Sequence, residues 1–302
     1  MVKVAMEPKQ FPEYVQAVEQ AGGIVVEMGP DIKGLIWLDY SKPAALAEML
    51  DKNPQIEWVQ LPFAGVDAFS EIIKRPIRFT SAKGAYREPV AEHALALTLA
   101  LMRIIPERVK TQTWGRQFAD SLYDSKVLIF GGGGIAEELI KLLTPFRVKI
   151  TVIRNQLQPL KGAAKTLGFE HLESELSQAD LVILAAALTD QTTKLFNRKK
   201  LSQMKPTAYL VNIARGPMVD TDDLIEALNS DLIAGAALDV TDPEPLPDGH
   251  PLWNAKNIII TPHSADTRVQ VVRLFSERIR ENIAAFESGK GWVGQVDPDL
   301  GY

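Results

Sequence analysis

The sequence predicts an α/β protein built from two doubly wound parallel-sheet domains, and three observations carry that expectation. The chain has 302 residues, 46% of them hydrophobic, and at about 100–200 residues per domain that length favours two domains. Short, nearly continuous apolar runs alternate with helix-patterned stretches, as strands covered on both faces do. Two long helical segments interrupt this rhythm where the chain would cross between domains.

The apolar runs fall at residues 23–28, 34–37, 127–130, 149–153, 181–185, 208–212, 235–239 and 257–260. Between them lie amphipathic or Ala/Leu-rich stretches such as 137–143 and 222–229, which fit crossover helices. Residues 89–108 are rich in Ala and Leu with few polar positions, which predicts one largely buried helix. Residues 265–288 carry Val269, Val272, Leu274, Ile279, Ile283 and Phe286 at helical spacing. Taken as connectors, these helices divide the chain into a first domain of 1–95 plus 275–302 and a second of 96–274.

Composition excludes several classes of function. A net charge of −5 without a basic run lacks the electrostatic footprint of a nucleic-acid binder. No apolar run approaches the ~20 residues that span a bilayer, and the first residues, Met1-Val2-Lys3-Val4-Ala5-Met6, do not read as a secretory signal. Cysteine is absent, which removes disulfides, thiolate nucleophiles and Cys-ligated metal together. The expectation is a cytoplasmic enzyme with no membrane or nucleic-acid partner. There is no H-E-x-x-H and no other ligand cluster, so no metal is expected.

The run Val127-Leu128-Ile129-Phe130-Gly131-Gly132-Gly133-Gly134-Ile135-Ala136 ends a strand in glycines and opens a helix. Read as G-x-G-x-x-A, Gly131 permits the tight turn and Gly133 lets the backbone approach a pyrophosphate. Ala136 allows close helix–strand packing. The helix that begins at Gly134 and Ile135 offers free N–H groups and a positive dipole end. Four glycines alone are equally a flexible connection; the strand before, the helix after and the second strand at 149–153 favour a dinucleotide. That second strand runs into Arg154-Asn155-Gln156, without the acid that would accept from an NAD ribose. Arg154 suits a 2′-phosphate, so NADP(H) is favoured and NAD(H) is the alternative.

The C-terminal half then shows, in order, Val211-Asn212-Ile213-Ala214-Arg215-Gly216, Leu238-Asp239-Val240, Asp242-Pro243-Glu244-Pro245-Leu246-Pro247 and Thr261-Pro262-His263-Ser264. With the glycine loop, the chain resembles the D-isomer-specific 2-hydroxyacid dehydrogenase family, its glyoxylate/hydroxypyruvate reductase-like members in particular. Phe63-Ala64-Gly65-Val66-Asp67 resembles the family's carboxylate-binding loop and Val90-Ala91-Glu92-His93 its domain-linking helix. The resemblance implies a Rossmann cofactor domain inserted into a flavodoxin-like substrate domain, with the active site in the cleft. It implies a small 2-keto or 2-hydroxy acid as substrate, bound by Ala64, Gly65, Val66 and Arg215, and a homodimer. It places Asp239 at the nicotinamide carboxamide and makes Arg215, Glu244 and His263 the catalytic set.

Residue chemistry supports the same set. Reducing a 2-keto acid needs a hydride, a proton for the carbonyl oxygen and a cation for the carboxylate. A histidine, with an ordinary pKa of about 6.5, exchanges protons near neutrality. A neighbouring carboxylate such as Glu244 orients the ring and stabilises the imidazolium. Arg215 can grip carboxylate and carbonyl together. Singly, each has a plain structural alternative: a turn residue, a solvated loop acid, a satisfied histidine. His93, His171 and His250 read as non-catalytic. Asp39, in Leu38-Asp39-Tyr40, stands where phosphoglycerate dehydrogenases tend to place an Arg, and no regulatory domain follows. An unphosphorylated substrate is therefore expected. A phosphoglycerate dehydrogenase-like enzyme and a non-catalytic, dinucleotide-sensing corepressor-like protein are the alternatives.

Overall fold

The computed structural model describes residues 1–115 and 118–298. They form two compact units: Met1–Tyr86 with the segment from Thr267 onward, and the intervening Arg87–Asp266. The first unit opens with β1 (Lys3–Glu7), α1 (Pro12–Gln20), β2 (Ile24–Val25), β3 (Gly34–Trp37), α2 (Pro43–Lys52), β4 (Trp58–Gln60) and β5 (Arg78–Thr80). The second unit begins with α3 (Arg87–Met102), α4 (Ile105–Lys110), β6 (Lys126–Phe130), α5 (Gly134–Leu143), β7 (Lys149–Ile153) and β8 (Lys165–Leu167). It continues with α6 (Leu172–Leu176), β9 (Leu181–Leu184), α7 (Arg198–Leu201), β10 (Tyr209–Asn212), α8 (Thr221–Asn229), β11 (Gly235–Leu238) and β12 (Ile258–Ile260). The long α9 (Arg268–Ser288) completes the first unit.

Both sheets are parallel throughout, in the orders β2-β1-β3-β4-β5 and β12-β11-β10-β9-β6-β7-β8. The first is the flavodoxin-like order. The second contains the Rossmann order with one further strand, and its direction of winding reverses between β6 and β9. In open parallel sheets ligands bind beyond the carboxyl ends of strands at such a switch point. The two α/β domains expected from the sequence are therefore present.

Alternation within the strands of the second unit sends side chains to two cores. Val127, Ile129, Ile150 and Val152 pack with residues of α3 and α5. Leu128, Phe130, Val182 and Leu184 pack on the opposite face with residues of α8. Each large side chain so buried contributes about 1.5–3 kcal/mol before conformational entropy is counted. This double covering is why the strands read as unbroken apolar runs.

Three expectations need adjustment. Residues 89–108 are not one buried helix: α3 stops at Met102, Ile104 takes a left-handed conformation (φ 49°), and α4 buries none of its residues. Pro106 has no N–H, and its ring would collide with the carbonyl of Met102 in a continuous helix; that carbonyl accepts from Asp120 N instead, at 2.9 Å. Residues 265–267 lie outside α9, which starts behind a capping box of Thr267 and Gln270, and Val269 is 80% exposed rather than core-facing. The division between units falls at Arg87 and Thr267, ahead of the expected 95 and 275. All of α3 belongs with α5 and the β10–β12 edge, while α9 packs on α1 and β4. Among the described residues no helix is long and apolar enough to cross a membrane.

Candidate active site

The glycine loop stands at the switch point. Gly131 has φ +113°, and a Cβ there would lie 2.4 Å from the Ala185 carbonyl oxygen, so neither its conformation nor its surroundings admit another residue. Its N–H donates to Ile153 O at 2.9 Å. Gly133 is the N-cap of α5, no side chain caps that helix, and a Cβ at Gly133 would meet nothing within 4 Å. The first-turn N–H groups around Gly134 and Ile135 thus have no side-chain cap, as a phosphate cradle requires, while Ala136 is fully buried. The stem of Arg154 lies across the loop: its Cδ is 2.5 Å from where a Cβ at Gly132 would stand. Its Nη2 donates to Gln156 Oε1 at 2.8 Å. These residues fit a dinucleotide whose pyrophosphate rests on α5.

Further along the same edge, three loops bring the expected catalytic residues together by a chain of contacts. His263 Nδ1 is 2.7 Å from Glu244 Oε1, and Glu244 Oε2 accepts from Thr241 N at 3.3 Å. Thr241 O in turn lies against Gly216, where a Cβ would stand 1.9 Å from it. Gly216 follows Arg215, so the loop after β10 and the loop after β11 abut backbone to backbone. Buried Asn212 shapes the first of them, donating to Arg215 O at 2.9 Å and accepting from Ala214 N at 3.0 Å. The Arg215 guanidinium donates through Nη1 to Ala214 O at 2.7 Å. His263 itself is left-handed (φ 50°), a conformation that needs support in a non-glycine residue. Its N–H supplies that support by donating to Asp239 O at 2.8 Å and Thr261 O at 3.0 Å.

Asp239, 2% exposed, is the centre of a second network. Its Oδ1 accepts from Thr261 Oγ1 at 2.6 Å and Ser264 N at 2.9 Å, and its Oδ2 from Ala265 N at 3.2 Å. His93, projecting from α3, brings Nε2 within 3.0 Å of Thr261 Oγ1 and 3.3 Å of Asp239 Oδ1. Sequence reasoning set His93 aside, and nothing local could have retrieved it, since Thr261 is 168 residues away. Asp266 was also overlooked: burial raises its carboxyl above the ordinary range, with His263 opposing and Asp239 adding to the shift. His250 caps a turn, accepting from Leu252 N through Nδ1 at 3.2 Å.

In the first unit, Ala64, Gly65 and Val66 form the loop beyond the carboxyl end of β4. Val66 is 1% exposed and lies in the core, so only its backbone is available to a ligand. Asp39, beyond β3, is held below the usual carboxylate range by the Ser41 hydroxyl and N–H, against a small burial effect, with help from Lys42. It remains an anion at neutral pH.

Residues 94–265 match the family described as D-isomer specific 2-hydroxyacid dehydrogenase, NAD binding domain. The chain belongs to that family. It is therefore an NAD(P)-dependent oxidoreductase that uses a nicotinamide dinucleotide. An uncharacterized protein from the proB 3′ region of Corynebacterium melassecola is 38% identical over the full length of both chains. A glyoxylate reductase of Thermofilum pendens is 33% identical over 81% of this chain and 76% of its own. Among solved structures, a D-isomer specific 2-hydroxyacid dehydrogenase from Xanthobacter autotrophicus, in complex with NADPH and MES, superposes with a TM-score of 0.86. It is 27% identical, covering 100% of this chain and 99% of that one.

Proposed function

We propose that this dehydrogenase reduces a small unphosphorylated 2-keto acid, such as glyoxylate or hydroxypyruvate, to the D-2-hydroxy acid, with NADPH preferred over NADH. The observation that carries the reading is the 2.7 Å pair of His263 Nδ1 and Glu244 Oε1, joined through Thr241 to the loop that bears Arg215. With Nδ1 committed to Glu244, Nε2 is the ring atom that delivers the proton to the substrate's carbonyl oxygen. Glu244 stabilises the imidazolium before that proton leaves. Arg215 neutralises the substrate carboxylate and polarises the carbonyl toward the alkoxide. The bound dinucleotide supplies the hydride, and hydride plus proton convert the carbonyl to a hydroxyl.

Relatives named glyoxylate reductase support the substrate class, and the chain has the acid Asp39 where the phosphoglycerate dehydrogenases it resembles tend to place an Arg. The cofactor preference rests on Arg154 stretched over the loop at Gly132, with no acid at the end of β7. Charge-assisted hydrogen bonds to a 2′-phosphate, at about 1.5–3 kcal/mol, correspond to roughly ten- to hundredfold discrimination. Arg154→Asp should reverse the preference in kcat/KM, measured with glyoxylate against both cofactors. A wild-type enzyme that uses NADH as well as NADPH, with Arg154→Asp altering neither, overturns this part of the reading.

A further inference from the structure

We infer that His93 is a positioning residue for the nicotinamide end of the cofactor, acting through Thr261 on Asp239. The inference rests on the reading of Asp239 as the group that meets the nicotinamide carboxamide. Its basis is the direction of the hydrogen bonds. Thr261 Oγ1 is 2.6 Å from Asp239 Oδ1, and a carboxylate only accepts, so the hydroxyl proton points at Asp239. The hydroxyl's lone pairs are then what His93 Nε2 meets at 3.0 Å, and Nε2 must carry a proton and donate. His93 thereby fixes the rotation of the Thr261 hydroxyl, which fixes Oδ1 of Asp239. Its Nε2 also lies 3.3 Å from that oxygen, adding favourable electrostatics when the ring is charged.

The arrangement leaves Asp239 asymmetric. Oδ1 faces Thr261, Ser264 N and His93, whereas Oδ2 faces Ala265 N. A carboxylate offers about four acceptor sites, two on each oxygen, so Oδ2 is the oxygen with room for a further donor. A carboxamide NH2 is a donor of the required kind. Without His93, the Thr261 hydroxyl can rotate away and Asp239 can rock about χ2, carrying Oδ2 off the direction it now holds. A buried carboxylate so loosened presents its acceptor site only part of the time, and the ligand group that depends on it binds more weakly.

The test compares ligands that differ only in the nicotinamide: NADPH against 2′-phospho-ADP-ribose, and NADH against ADP-ribose, titrated calorimetrically into the full chain. His93→Leu should weaken NADPH and NADH about five- to tenfold, as for one lost hydrogen bond, and leave the two nicotinamide-free ligands unchanged. His93→Gln, whose Nε2 can still donate, should recover most of that loss. Thr261→Val should reproduce His93→Leu, and it carries the test if His93→Leu fails to fold. Equal losses for both members of a pair, or none for either, overturn the inference, because a merely structural role does not single out the nicotinamide. Asp239→Asn separates the two levels. If it weakens the nicotinamide ligands while His93→Leu and Thr261→Val do not, only the role of His93 falls. If Asp239→Asn itself spares them, the reading of Asp239 falls and the inference with it.

Discussion

In the five-stranded sheet the polar residues that end the strands turn into the core, whereas in the seven-stranded sheet they hold loops in place. Gln60 and Thr80, the last residues of β4 and β5, are fully buried with Asn282 of α9. Thr80 Oγ1 donates to Gln60 Oε1 at 2.8 Å, Asn282 Nδ2 donates to the same oxygen at 2.6 Å, and Trp58 Nε1 donates to Thr80 Oγ1 at 2.9 Å. Gln60 Nε2 donates on to Leu61 O at 2.8 Å and Asn282 exchanges two bonds with the Val293 backbone, so the network ties β4, β5 and α9 together within the core. In the second unit Asn212 ends β10 and Asp239 follows β11, equally buried, yet they bond to backbone groups of the loops bearing Arg215 and His263, with Thr261 and His93 beside Asp239 as well. Burial of polar groups therefore has two uses in one architecture. One buried network joins strands and helix inside a core, and the other holds the loops of the candidate site.

The contrast is sharpest at His263. His263→Ala should lower turnover by roughly two or more orders of magnitude, the loss expected for a general acid. The unfolding midpoint and NADPH affinity should stay near those of the wild type, read by stopped-flow reduction and calorimetry. A variant that loses stability rather than turnover would place His263 with Gln60 and Asn282, and the contrast would collapse. Asn282→Ala is the opposite case. It strips a partner from Gln60 Oε1 and leaves the Val293 N–H and carbonyl without the side chain they bond to. It should cost about 1–3 kcal/mol in urea denaturation without altering dinucleotide binding by the second unit.

The smallest expected effect is at Asp266, whose carboxyl is raised by burial. The folded state holds this proton more tightly than the unfolded chain does, so ionisation costs stability as pH rises through the raised value. Below the ordinary carboxyl range the group is protonated in both states and the cost vanishes. Asn does not ionise, so Asp266→Asn should be slightly more stable than wild type at pH 7, by about 1–2 °C in melting midpoint. The difference should shrink as the pH is lowered toward the carboxyl range. Melting curves across that range check the sign; a variant less stable at pH 7 contradicts it.

What the sequence disclosed follows the same division. β3 and β7 have the expected bounds because Gly-Leu-Ile-Trp and Lys-Ile-Thr-Val-Ile are apolar and β-branched enough to be legible as strand. β1, β4, β5 and β8 were not among the expected runs. Three of them are only three residues long, Trp-Val-Gln, Arg-Phe-Thr and Lys-Thr-Leu, too short for any period to register. They are strands because neighbouring strands distant in sequence pair with them, a non-local cause. The break between α3 and α4 was readable in Pro106, and overlooking it made one helix of two. Gly131, Arg215, Glu244 and His263 are proposed from contiguous motifs, and the structure brings Glu244 and His263 into contact. The contact of His93 with Thr261, 168 residues away, is made by the fold and has no local signal.

Gly216 has a wider consequence than its lack of a side chain suggests. Where it touches Thr241, hydrogen is the only substituent that fits, so the gap between the arginine loop and the glutamate loop is set by bare backbone. A methyl group at 216 would demand a retreat of the chain around 241, so the two loops are fitted to each other as one part. The spacing of guanidinium and carboxylate is thus guarded by a residue with no chemistry of its own.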